Sequence, residues 1–210
     1  MLSVLLCAHS LLAQETGDRP FPVVDEGPDN ADFLAFRTRL LDIVERRDLS
    51  SLLAIISPNI MFSFAGAPGV EGFRKHWRLD EGATALWSAL ADLLRLGGSF
   101  QGPEIFVAPY VHSQWPAELS DEVDLVATVR DQVPVYEAAD DSARVLRRLP
   151  PVIVAAQYDG GLAGRWHRVL LKNGEKGYLR EGDARRPTDL RAFFARSPTG
   201  WLMVICIDGD

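Results

Sequence analysis

Polar and apolar positions change period along the chain, and the changes divide it. From Asn30 the apolar residues recur at helical spacing: Phe33, Phe36, Leu40, Ile43 and Val44 form one stripe, with Asn30 placed as the N-cap. Asp48 caps a second, short helix over Leu49 to Ile56, which Pro58 stops. The period then falls to two. Ile60, Phe62 and Phe64 alternate with Met61 and Ser63 and predict a half-buried strand. Beyond the turn Gly66-Ala67-Pro68-Gly69, Val70, Phe73 and Trp77 mark a third helix. Leu86, Trp87, Leu90, Leu93 and Leu94 mark a fourth, ended by Gly97-Gly98. Ile105 to Ala108 predicts a short strand.

Further on the pattern is that of short strands throughout. Leu125, Ala127 and Val129 alternate with Asp124, Val126 and Thr128, and Val133 and Val135 with Pro134 and Tyr136. Val152 to Ala156 is an apolar run of strand length. Asn173-Gly174 between two such runs predicts a hairpin with a type I′ turn. The breaks at Ala139 to Ser142, Pro150-Pro151 and Asp159 to Gly161 suit a small closed barrel. The tail, Leu190 to Phe194 and Trp201 to Ile205 around Ser197 to Gly200, predicts a second hairpin. It is too apolar to hang free, and its expected partner is the strand Ile105 to Ala108.

Four stretches carry a family resemblance: Val126 to Arg130, Val145 to Leu149, Arg165 to Val169, and Asn173 to Leu179. Together they resemble the bacterial SH3 domain, and the match runs from Val123 to Leu179. The resemblance implies a β-barrel module that binds and tethers within the cell envelope, with a wall peptide or an envelope protein as partner. The chain departs from the family at Arg130-Asp131-Gln132-Val133-Pro134, where an Arg-Ser-Gly-Pro stretch is usual. No site is carried over onto that loop. The stretch Asp159 to Gly164 lengthens the loop before Trp166. A weaker resemblance covers Asp48-Leu49 through Trp77 and the tail hairpin with Trp201. In order these elements are similar to the cone-shaped fold of nuclear transport factor and the polyketide cyclases.

The expected fold class is therefore α+β: an α-rich or cone-like N-terminal domain over 29–117, an SH3-like β-barrel over 123–183, and a C-terminal β-hairpin over 188–210. The barrel is either inserted into a helix-and-sheet domain that the tail completes, or follows it in tandem.

Composition narrows the function. The 210 residues, 47% hydrophobic, suffice for one large domain or two small ones. A formal net charge of -7 without a basic run argues against nucleic-acid binding. Arg180 with Arg185-Arg186 is interleaved with Glu181 and Asp183 and reads as a solvated face. Residues 1–13 are apolar without acidic residues and read as a signal peptide, cut after Ala13, which predicts export to the periplasm or cell envelope. The run is too short for an integral membrane span. Residues 14–28 read as a linker. Cys7 falls in the leader, and Cys206, within an apolar run, reads as a buried structural thiol.

Two sets of residues are candidates for function. Tyr136, Tyr158, Trp166 and Tyr178 are the ligand-binding candidates, since aromatic grooves take extended peptides. Trp166 and Tyr178 sit where the family packs its core, so Tyr136 and Tyr158 are the better surface candidates. The cone resemblance implies an acid–base pocket, for which His76, Asp80, Glu81, Tyr110 and His112 are candidates. His76 lies off the face of Phe73 and Trp77 and reads as solvent-facing. No metal-ligand spacing, phosphate loop or nucleophile motif occurs, so neither metal nor cofactor is expected. The expected function is non-catalytic binding in the cell envelope. The alternative is a small-molecule acid–base enzyme of the cone type. An enzyme needs a closed pocket holding a titratable pair, whereas a binding module needs only an exposed groove.

Overall fold

The computed structural model describes residues 18–82, 84–122, 124–157 and 165–209. In chain order the elements are β1 (Arg19–Pro20), α1 (Ala31–Arg46), α2 (Leu49–Ala54), β2 (Ile56–Met61), α3 (Val70–His76), α4 (Thr84–Arg95), β3 (Ser99–Phe100), β4 (Ile105–Ala108) and α5 (Tyr110–Ser113). Six strands follow: β5 (Leu125–Thr128), β6 (Val133–Tyr136), β7 (Val145–Leu149), β8 (Val152–Gln157), β9 (Trp166–Leu170) and β10 (Lys176–Arg180). The chain then adds β11 (Ala184–Arg185), β12 (Arg191–Ser197) and β13 (Gly200–Ile207). The fold is α+β and contains two sheets.

The first sheet has the order β2-β13-β12-β4-β3. Its centre is the tail hairpin, which pairs antiparallel with β4, Phe194 opposite Phe106, and parallel with β2. The strands β5 to β11 thus lie in sequence between two parts of one sheet. Helix α1 covers it. Asn30 caps α1 by accepting from the Phe33 N–H at 3.0 Å, and Asp48 caps α2 by accepting from the Ser51 N–H at 3.1 Å. The Ser51 hydroxyl, donating to Asp48 Oδ2 at 2.6 Å, and the Ser51 N–H together hold the Asp48 carboxyl below its usual range. The stripe expected on α1 is buried, and Phe33 lies at its centre. Its ring stacks on Phe106 at 4.0 Å and meets Trp201 edge-on at 5.0 Å, with Phe36, Phe100 and Phe194 around it. Helix α2 ends at Ala54, ahead of Pro58, which lies within β2. β2 is an edge strand, where a missing backbone donor is tolerated. Because β2 ends at Met61, the predicted alternation stops early and Phe64 is exposed.

The second sheet has the order β11-β5-β8-β9-β10-β6-β7, with β1 added alongside β8. No ladder joins β7 to β11 among the described residues, so the closed barrel expected from the sequence is replaced by an open strand path. One end is the two-residue β11, and the other is β7, whose exposed Arg147 and Arg148 blunt the edge against further pairing. The core of this sheet is aliphatic: Val126, Val133, Val135, Leu149, Val152, Val154, Ala156, Val169, Leu171, Leu179 and Ala184. The turn after β9 is not of the expected type I′. Gly174 has φ 80°, but Asn173 is not among the residues with positive φ. Gly174 N–H donates to the Leu171 carbonyl and Leu171 N–H to that of Glu175. This is a type I turn closed by a left-handed glycine, the usual three-residue hairpin.

A third apolar cluster joins the two parts: Phe21, Tyr110, Val111, Leu125, Ala127, Val129 and Ile153. Phe21 stacks on Tyr110 at 5.5 Å. Burial raises the Tyr110 hydroxyl pKa to about 12. The described part of the expected linker is consequently not free. β1 pairs with β8, Phe21 is buried, and Asp25 accepts two hydrogen bonds from the buried Arg37 guanidinium at 2.6 and 2.9 Å.

Candidate functional site

The aromatic residues of the second sheet lie outside its core. Tyr178 is the register partner of both Tyr136 and Arg168, and Arg180 is that of Trp166. Cross-strand partners share a face, so these five side chains lie on the side opposite Val169 and Leu179. Gly177 makes the pairing of β10 with β6 possible. A Cβ there would fall 2.4 Å from a Val135 methyl and 2.9 Å from the Tyr136 carbonyl oxygen.

On this face Trp166 meets Tyr136 edge-on at 5.3 Å. The Arg180 guanidinium lies over the Tyr136 ring at 4.8 Å and reaches Trp166 at 6.0 Å. Its Nε donates to Asp141 Oδ1 at 2.8 Å, and this bond raises the Arg180 pKa above its ordinary value. Asp141 belongs to the β6–β7 turn, which is held by Asp140 Oδ1 accepting from the Ser142 N–H and hydroxyl, each at 2.8 Å. Tyr136 is buried beneath the arginine, while Trp166 and Tyr178 remain half-buried. The expected ranking is thus reversed: Trp166 and Tyr178 are outside the core, and Tyr136 is the covered ring. The reason is alternation. Val169 and Leu179 take the inward positions of β9 and β10, which leaves the aromatics outward. Tyr158 lies outside the described residues.

The charge is divided in the same way. Between Asp124 and Arg186 stand eleven Lys and Arg against nine Asp and Glu, whereas the remaining residues hold eleven against twenty. Arg185 and Arg186 do not form the solvated face that the sequence suggests. Arg185 is half-buried and donates to the Leu190 carbonyl, and the Arg186 N–H donates to Asp189.

The acid–base candidates do not converge. His76 is exposed beside Phe62 and Trp77, and Asp80 pairs with Arg74 at 2.6 Å. Glu81 is exposed and Tyr110 is part of the junction. His112, on α5, is hydrogen-bonded through Nδ1 to the Pro187 carbonyl at 2.9 Å, which makes Nδ1 the donor. Its pKa is lowered, chiefly by burial. Cys206 is fully buried and its thiol is pushed up to about 12. A cleft of about 500 Å³ opens where α4 faces the second sheet. Ala85, Ser88 and Asp92 line one side and Gly182, Arg185 and Asp189 the other, and none of the acid–base candidates reaches it. Among the described residues no cluster of His, Cys, Asp or Glu is arranged to hold a metal ion, and no helix is long and apolar enough to cross a membrane.

Sequence reasoning missed Arg180 and Asp141 as parts of this face. Arg180 could have been found, because it lies two residues beyond Tyr178 on the same strand. Asp141 could not, since only the folded turn brings it to Arg180. Comparison with protein-family models, with curated proteins and with solved structures finds no match to this chain.

Proposed function

We propose that the protein is a non-catalytic binding protein of the cell envelope and that its working surface is the outer face of the second sheet: Trp166, Tyr178, Arg168 and Arg180 over Tyr136. The observation that carries this reading is the separation of side chains in that sheet. Among the described residues the apolar core of that sheet is aliphatic, while its large aromatics stand outside beside arginines. Aromatic rings and arginine are the residues that concentrate binding energy at interfaces, and an extended peptide can lie along such a face. The resemblance of Val123 to Leu179 to the bacterial SH3 domain supports a binding module of that type, here with an open strand path, and a wall peptide or envelope protein as ligand. The first sheet, with its helices, supports the cone-like reading as a scaffold. Its interior is filled by Phe33, Phe106, Phe194 and Trp201, and among the described residues the acid–base candidates lie apart.

The reading is tested by titrating the whole chain with soluble wall-peptide fragments while following binding calorimetrically. Trp166→Ala should weaken binding at least tenfold, as expected for a central aromatic anchor. A W166A protein that binds as tightly as the parent would overturn the assignment. Mass spectrometry of protein from the native host tests the compartment: a mature chain starting near Gln14 supports export, and intact Met1 in the cytoplasmic fraction contradicts it.

A further inference from the structure

The Arg180–Asp141 pair is placed oddly for a stabilising ion pair. It lies on the binding face proposed above, both side chains are well exposed at 41% and 59%, and the guanidinium rests on the aromatic ring that a ligand would approach. Exposed pairs of this kind contribute little to stability. The turn that carries Asp141 does not need it either, because Asp140 makes the turn's own hydrogen bonds. Among the described residues only Nε of Arg180 is used, in a single bond to one carboxylate oxygen. A free carboxylate can engage a guanidinium through two parallel bonds, which a side chain tied to Nε alone does not match. Arg168, the cross-strand neighbour of Tyr178, has no ion-pair partner among the described residues and adds a second positive charge to the same face.

Resting on the binding reading above, we infer that Arg180 is the receptor for a carboxylate of the ligand, and that Asp141 holds the place of that carboxylate in the free protein. The ligand class is then an extended peptide bearing a free carboxylate, with its apolar groups against Trp166 and Tyr178. Binding exchanges one carboxylate for another on Arg180, and Tyr136 keeps the guanidinium oriented during the exchange. Asp141 also sets a threshold. A neutral peptide cannot displace it, so the pair selects against uncharged competitors.

The probe is the stem peptide L-Ala-D-Glu-L-Lys-D-Ala-D-Ala with free carboxylates, compared with the same peptide carrying amides in their place. With the whole chain, the acid form should bind about tenfold more tightly than the amide, the difference expected when a charge-assisted bond is lost. Arg180→Gln should abolish that discrimination. Asp141→Asn, an exposed and nearly isosteric change, should tighten binding of the acid form several-fold. If both peptides perturb Trp166 and bind equally, the carboxylate assignment fails while the binding face stands. Should D141N weaken binding of the acid form, Asp141 is no placeholder and the inference is overturned. If neither peptide perturbs Trp166, both the face and the inference fall.

Discussion

The two sheets use aromatic side chains in opposite ways. In the first, Phe33, Phe106, Phe194 and Trp201 fill the space between α1 and the strands, and Phe33 is wholly buried. In the second, the core is aliphatic, and Tyr136, Trp166 and Tyr178 gather outside it with Arg168 and Arg180. Aromatics in a core contribute buried area and fix packing. Placed outside a core that is already complete, they are unnecessary for folding and available for contact. On the proposed reading, the first sheet supplies stability and the second recognition. Charge follows the same division, since the second sheet's segment carries a small positive excess within an acidic chain.

The most severe way to break this contrast is to remove the centre of the first sheet. Deleting residues 188–210 takes out β12 and β13, which separate β2 from β4. The first sheet and its helices should then unfold, lowering the helical circular dichroism signal. A truncated chain that keeps the native chemical shifts of α1 and β4 would show that the hairpin is an appendage. Phe33→Ala comes next. It removes a fully buried ring and should cost about 3–5 kcal/mol in denaturant unfolding. A loss below about 1 kcal/mol would mean that the aromatic cluster is not the keystone of this sheet.

Much of this architecture is legible in the sequence, and the failures have physical causes. The caps Asn30 and Asp48 and the strand Ile105–Ala108 follow from local chemistry, which the tertiary structure leaves intact. That the tail packs follows from its apolar content, and its pairing with β4 from the inserted arrangement that the cone resemblance suggests. Pro58 misled, because a proline ends a helix but is also allowed in an edge strand, and sequence does not state which strand is the edge. Asn173-Gly174 suggested a primed turn, yet the register of β9 and β10 leaves three loop residues, which requires only Gly174 to be left-handed. The open strand path was not legible, because closure depends on how far the two end strands splay. Within the site, the aromatic residues were visible and their face was not. The resemblance places Trp166 and Tyr178 in the core, whereas the inward positions belong to Val169 and Leu179.

A milder change probes the second sheet. Gly174 has φ 80° with open space around it, so Gly174→Val meets no neighbour and introduces only backbone strain. It should cost about 1–2 kcal/mol. An unchanged unfolding midpoint would show that the hairpin adjusts freely. The smallest effect concerns pH. The pKa values of His112 and His167 are both lowered, in each case chiefly by burial. The folded protein therefore resists protonation that the unfolded chain accepts near its ordinary value of about 6.5. The unfolded state binds more protons in this window, so stability should be full above pH 6.5 and decline as pH falls through it. Unfolding midpoints between pH 8 and 5 check the sign. Replacing His112 by Gln should flatten the slope, and a slope that rises toward acid pH would contradict the account.

The central claim, that recognition belongs to the outer face of the second sheet, is tested most directly by the indole N–H resonances of the five tryptophans, Trp77, Trp87, Trp115, Trp166 and Trp201. Four of them lie in the first sheet's unit or at the junction, and Trp166 alone lies on the proposed face. In a titration of the isotopically labelled chain with wall stem peptide, the account predicts that the Trp166 indole shifts with ligand concentration while the other four stay in place. A shift confined to Trp77, Trp87, Trp115 or Trp201, with Trp166 unmoved at saturation, would contradict it.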